Sequence, residues 1–115
     1  MIYSFRFAFL EGQVAEHLSF LLREKNYFFE IKKMRDSDHA CIVIDLDLNN
    51  MDMEAFQETV KNLVKLKQLR NNQYGIWISS FSDAKTNEIL VPSVLSDFHH
   101  KIGGTIDFSY VCLRP

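Results

Sequence analysis

The chain has 115 residues, of which 47% are apolar and 24% are charged, and its formal net charge is −2. This length and composition fit one folded domain, residues 1–115, and exclude global disorder. The uninterrupted apolar runs are far shorter than the roughly 20 residues that span a bilayer, and the first residues do not look like a signal peptide. We therefore expect a cytoplasmic protein without a membrane partner.

The two cysteines, Cys41 and Cys112, each lie in an apolar, strand-like segment. A disulfide scaffold would need more cysteines, and a structural zinc site would need closely spaced pairs of them. We therefore expect two reduced thiols, neither of them a metal ligand.

Alternation of apolar and polar residues predicts a first strand over Ile2–Leu10. Its predicted buried face is aromatic and consists of Tyr3, Phe5, Phe7 and Phe9. Apolar residues at helical spacing follow over residues 14–22, and Asn26 is the predicted end of this first helix.

Alternation returns over residues 27–34 and again over residues 40–48, which predicts a second and a third strand. Residues 35–38 between them have the composition of a turn. One face of the third strand is apolar throughout, whereas the other begins apolar and ends at Asp45 and Asp47.

A second helix is predicted next, with Asn50 or Asp52 as its cap. Its predicted buried stripe consists of Phe56, Val60, Leu63 and Val64. Residues 71–72 close this helix, and residues 74–81 form a fourth strand that contains the only tryptophan, Trp77.

The last part of the chain predicts a helix between two extended segments. Residues 82–87 have the composition of a loop and lead to a short extended piece over residues 88–91. Pro92 suits the first turn of a third helix, and Gly103-Gly104 is its predicted C-terminal stop. Residues 105–113 alternate again and form the closing strand.

The predicted order is therefore β-α-β-β-α-β, extended by a C-terminal helix and strand. Its first six elements match the ferredoxin-like split β-α-β arrangement of the α+β class, an antiparallel sheet with helices on one face. Strands 1, 3 and 5 carry apolar residues on both faces. The third helix or a partner would then cover the outer face of the sheet, and both alternatives stay open.

Charge is segregated along the chain. Seven acidic residues and no lysine or arginine lie between Asp36 and Val60, whereas the next ten residues contain four basic residues and no acid. The basic residues are Lys61, Lys65, Lys67 and Arg70. Segregated charge steers a charged partner toward one surface, so this pattern is the main functional indication of the sequence.

The densest acidic constellation could in principle hold Mg²⁺ or Ca²⁺; it consists of Asp45, Asp47, Asp52 and Glu54. The calcium-loop spacing with its central glycine is absent. Acid–base catalysis by paired carboxylates would need a cleft that desolvates one of them. We therefore interpret these acids as partner contacts or as solvated strand-end and cap residues, and predict no metal, no cofactor and no catalytic residue.

Nucleic-acid binding is suggested only by topology. The RNA-recognition motif shares the βαββαβ order, and its third strand carries basic and aromatic residues that stack bases. Here the third predicted strand ends with Asp45 and Asp47, whose charge would repel phosphates. No nucleic-acid partner is predicted.

Two segments near the C-terminus resemble the closing part of a small bacterial α/β domain family of unknown function. They are Ile89-Leu90-Val91-Pro92-Ser93-Val94-Leu95-Ser96 and Ile102-Gly103-Gly104-Thr105-Ile106-Asp107-Phe108-Ser109-Tyr110. The opening Tyr3-Ser4-Phe5-Arg6-Phe7 also resembles that family's first strand. Such domains are similar to immunity proteins encoded beside polymorphic toxins, including those of contact-dependent growth-inhibition systems. The resemblance carries over no functional residue.

The resemblance implies a protein that binds one cognate toxin and performs no chemistry. Most such toxins are nucleases with basic sites for phosphates, and an acidic surface would be complementary to them. The predicted contacts are Asp45, Asp47, Asp52, Glu54 and Glu58, followed by Asp36 and Asp38. Two alternatives remain: a self-associating domain that forms a homodimer through an apolar outer sheet face, and a small enzyme or metal-binding protein that uses the acidic cluster.

Overall fold

A computed structural model describes residues 1–35, 37–82 and 91–112, which form five strands and three α-helices. The strands are β1 (Ile2–Leu10), β2 (Glu30–Lys33), β3 (Ala40–Asp45), β4 (Tyr74–Ser82) and β5 (Thr105–Cys112). The helices are α1 (Gly12–Glu24), α2 (Met53–Leu66) and α3 (Ser93–Ile102), with a 3₁₀ turn at Asn71–Gln73. Among these described helices, none is both long enough and apolar enough to cross a membrane.

The five strands form one sheet in the order β2-β3-β1-β4-β5. The pairs β2–β3, β3–β1 and β1–β4 are antiparallel, so the first six elements have the predicted α+β, ferredoxin-like arrangement. The added strand β5 runs parallel to β4. Helix α3 connects these two strands, and a parallel pair needs a crossover connection of this kind.

All three helices contribute to a core on one side of the sheet. Phe5, Ile44 and Ile76 occupy one register row of that side and are almost fully buried. Phe98 of α3 stacks on Phe56 of α2 with ring centroids 5.8 Å apart, and both rings lie edge-on to Phe5. Helix α3 therefore joins α1 and α2, and it does not cover the outer face of the sheet.

A bulge in β1 corrects the predicted aromatic face of that strand. The register with β3 shifts between Phe7 and Leu10, and Phe9 adopts a φ of 54°. Phe9 is 46% exposed, whereas Leu10 is fully buried. The prediction that Phe9 lies on the buried face is wrong, because the extra residue of a bulge reverses the alternation beyond it.

Several predicted boundaries differ from those observed. Strand β2 begins at Glu30, and β3 ends at Asp45, whereas longer strands were predicted over residues 27–34 and 40–48. Helix α2 ends at Leu66, before the predicted residues 71–72. Residues 83–90, with most of the predicted loop and extended piece, lie outside the described residues.

The predicted helix ends are confirmed where side chains or glycines define them. Asn26 lies just beyond α1 with a φ of 64°. Of the two candidate N-caps of α2, Asp52 is the one observed. Its carboxylate accepts a hydrogen bond from the Ala55 amide at 3.1 Å. Gly103 and Gly104 follow α3 with φ values of 84° and 87°, the left-handed region that favours glycine.

The stability of the core is expected to depend on Phe56. This side chain is fully buried against Phe5, Tyr27 and Phe98, so Phe56→Ala should lower the free energy of unfolding by about 3–5 kcal/mol. Phe28 is 94% exposed, and Phe28→Ala should change it by less than about 0.5 kcal/mol. Urea denaturation followed by circular dichroism measures both values, and equal effects would contradict this assignment of the core.

Candidate functional site

The face of the sheet opposite the helices is open in the described part of the chain. Strand alternation sends every second residue of the five strands to this side. Its central rows mix charged, polar, aromatic and aliphatic side chains, and they contain Ser4, Arg6, Val43, Asp45, Trp77 and Asp107. We call this surface the open face. The apolar outer surface predicted for a homodimer is interrupted there by the charges of Arg6, Asp45 and Asp107.

Arg6 and Trp77 form the centre of the open face. Arg6 lies on the central strand β1, and Trp77 is its diagonal neighbour on β4. The guanidinium carbon of Arg6 lies 3.8 Å from the centroid of the Trp77 ring, which is a close cation–π contact. Gly75, directly opposite Arg6, has no side chain that would compete for this space.

The Arg6 side chain lacks an acceptor among the described residues. Its Nε atom is buried and makes no hydrogen bond. The ion pair found within the described ranges joins Lys32 to Glu30 at 3.4 Å, and no carboxylate there pairs with Arg6. A buried donor without a protein partner is rare in folded proteins.

Two clefts meet at Arg6. The larger, about 740 Å³, extends from Arg6 and Ser4 past Asp45 to Asp47 and the 26–29 segment. The smaller, about 360 Å³, lies on the other side of Arg6 and is lined by Trp77 and the bulge residue Phe9. The Arg6 side chain is therefore accessible from two directions on the open face.

Asp45 and Asp47 lie together at the edge of the larger cleft, and we call them the rim acids. Both are exposed. Asp47 accepts hydrogen bonds from the Asn50 side chain at 2.9 Å and from the Asn49 amide at 3.2 Å. These bonds, the Asn50 side chain first, lower the pKa of Asp47 below its ordinary value of 3.8. Asp47 therefore stays ionised at neutral pH while it holds the turn after β3.

The other predicted contact residues lie elsewhere. Glu54 and Glu58 are exposed on α2, which packs on the opposite side of the sheet from the open face. Asp52 caps the same helix. Asp38 is exposed beside the turn between β2 and β3, and Asp36 lies outside the described residues. The fold thus brings Asp45 and Asp47 together and separates them from the acids of α2.

Cys41 lies on the open face next to Lys32 in the register. Burial raises the pKa of the Cys41 thiol above its ordinary value of 9.0, and the charges of Arg6 and Lys32 only partly oppose this effect. The thiol is therefore protonated at neutral pH, which is the unreactive form of a cysteine. In the described part of the chain, no three His, Cys, Asp or Glu side chains are grouped closely enough to hold a metal ion.

Sequence reasoning missed Arg6 and Trp77. The alternation of the first strand does place Arg6 on its polar face, and Trp77 is the only tryptophan of the chain. Their contact depends on the pairing of β1 with β4, in which Ile2 lies opposite Ser79, 77 residues later in the chain. Local periodicity does not report such pairing.

Comparison of the chain with protein-family models, with curated proteins and with solved structures found no match.

The hydrogen bonds in the turn after β3 should determine the pKa of Asp47. Asn50→Ala should raise the pKa of Asp47 toward 3.8, because the Asn50 side chain is the main cause of its lowering. A lowered pKa in the folded state stabilises the fold above the unfolded pKa, and this contribution is lost as the pH falls through the lower, folded pKa. NMR titration of the side-chain carboxyl carbon measures both proteins, and an unchanged pKa in the variant would refute the role of Asn50.

Proposed function

We propose that this chain is an immunity protein that neutralises a toxin domain by binding it with the open face. The observation that supports this proposal most directly is the set of unpaired charges on that face. Once the Lys32–Glu30 pair is set aside, three acids, Asp45, Asp47 and Asp107, face the single positive charge of Arg6 there, and none of them forms an ion pair with a described basic residue. An exposed acidic surface of this kind favours a basic partner.

The arrangement of the open face suits protein binding. Binding energy in protein interfaces is concentrated in central aromatic and arginine side chains, and charged residues at the rim mainly accelerate association. Trp77 and Arg6 occupy the central strands, while Asp45 and Asp47 lie at the edge of the larger cleft. The open face therefore combines an anchor with a steering charge for a partner with a basic surface, such as a nuclease domain.

The rim acids are the proposed contacts, in preference to Glu54 and Glu58. Glu54 lies in the first turn of α2 and Asp52 caps that helix, so both are favoured there by the helix dipole without any partner. No helix dipole accounts for Asp45, which is exposed at the end of β3. Asp45 therefore has the stronger claim to a role in binding.

Bacterial growth tests the proposal as a whole. The protein encoded beside this chain would be expressed alone and together with a tagged copy of it. We expect growth arrest in the first case, and rescue with co-purification of the two proteins in the second. A neighbour that is harmless, or one that this chain neither binds nor counteracts, would refute toxin neutralisation. A stable homodimer of the isolated chain in light scattering would instead favour self-association.

Charge substitution identifies the face that binds. Combining Asp45→Lys with Asp47→Asn reverses one rim charge and removes the other, while the asparagine retains an oxygen that can accept in the turn. We expect the association rate with the neutralised toxin domain to fall about tenfold at low salt, with a smaller dependence on salt. Stopped-flow fluorescence or surface plasmon resonance measures this rate.

The matched control combines Glu54→Lys with Glu58→Gln on α2, which changes the net charge by the same amount on the other side of the sheet. We expect this variant to lose much less of the association rate, and circular dichroism verifies the folding of both variants. A larger loss in the control would assign the contact to α2 and would contradict binding by the open face.

A further inference from the structure

We propose that Arg6, held on the ring of Trp77, is a binding site for a carboxylate of the protein partner. This inference deepens the proposed function, because it names the chemistry of the central contact on the same open face. It rests on that function only for the source of the carboxylate, since the site itself is testable without the partner.

The hydrogen-bonding state of Arg6 is the first argument. The guanidinium has five N–H donors and no acceptor, so every favourable polar contact that it makes requires an oxygen or another acceptor. The Nε atom is buried without one, and no described carboxylate lies within ion-pair distance of the group. An incoming carboxylate would supply two acceptor oxygens to the terminal N–H groups of the guanidinium, which the clefts leave within reach, rather than to the buried Nε.

The Trp77 ring is the second argument, because it holds the guanidinium in place. The ring contact at 3.8 Å directs Arg6 toward β4, whereas Asp45 lies on β3, on the other side of the central strand β1. Asp107, next to Trp77 in the register, accepts a hydrogen bond from the Thr105 hydroxyl at 3.0 Å. The fold thus keeps its own described carboxylates from pairing with Arg6. The Trp77 ring meanwhile holds the Arg6 guanidinium in a fixed orientation.

Access and charge define the ligand class. Arg6 lines both clefts, of about 740 and 360 Å³, so a side chain that projects from a partner can reach it. Asp45 and Asp107 both occupy the register row next to that of Arg6. A phosphate dianion would experience about twice the repulsion from these acids that a carboxylate experiences. A singly charged carboxylate is therefore favoured over a phosphate.

The test is an NMR titration of the isolated, isotope-labelled chain with sodium acetate, which replaces sodium chloride at constant ionic strength. The reporters are the Arg6 Nε–Hε signal, assigned by its loss in Arg6→Lys, and the indole N–H signal of Trp77, the only tryptophan. We expect both to shift saturably. In Arg6→Lys the Trp77 shift should require at least about tenfold more acetate, because the bidentate fork is lost.

Arg23 is the internal control, because its guanidinium also lies over an aromatic ring, that of Phe29 at 5.4 Å, but on an exposed helix position. The Nε–Hε signal of Arg23 should show no saturable shift with acetate. An Arg6 signal that moves no more than that of Arg23 would overturn the site, and a tighter response to inorganic phosphate than to acetate would overturn its assignment to carboxylates.

The two proposals fail in different ways. If acetate shifts Arg6 but the neighbouring protein is not neutralised, the site stands and the toxin is excluded as the source of the carboxylate. If the toxin is neutralised, Arg6→Lys should weaken its binding about tenfold, whereas Arg23→Lys should leave it unchanged. Equal affinities of these two variants would overturn the role of Arg6 in the complex.

Discussion

Aromatic packing between β1, α2 and α3 decides which side of the sheet is closed. Phe5 is fully buried and meets Phe56 at 5.7 Å and Phe98 at 5.5 Å, in both cases edge-on. Such pairs stabilise a core beyond the area that they bury. Because Phe5 must point into this cluster, strand alternation sends its neighbours Ser4 and Arg6 to the opposite side. The open face is a direct consequence of the core.

The central arginine combines a buried Nε atom, which has no hydrogen-bond partner among the described residues, with a close contact to the Trp77 ring. A buried donor that finds no acceptor costs roughly 1–3 kcal/mol. Features that break a local rule in this way are concentrated at functional sites. We therefore place the centre of the proposed contact at Arg6 rather than at any single surface acid.

The acids of the chain serve different physical purposes despite their proximity in sequence. Asp52 satisfies an amide of α2, and Asp47 holds the turn after β3. Asp45 has no described hydrogen bond or ion pair of this kind and belongs to the open face. Fields from exposed charges extend about 8–10 Å at physiological salt. Under the proposed function, Asp45 and Asp47 would therefore act together on an approaching partner, whereas Glu54 and Glu58 lie on the other side of the sheet.

The sequence by itself determined the α+β class, the order of elements and most helix ends, because alternation, helical spacing, Asp52 and Gly103 act over a few residues. It also indicated the charge segregation. Only the tertiary structure decided the bulge at Phe9, the parallel pairing of β5, the side on which α3 packs and the meeting of Arg6 with Trp77. These features depend on register and packing between distant segments, and local periodicity contains no information about which strands become neighbours.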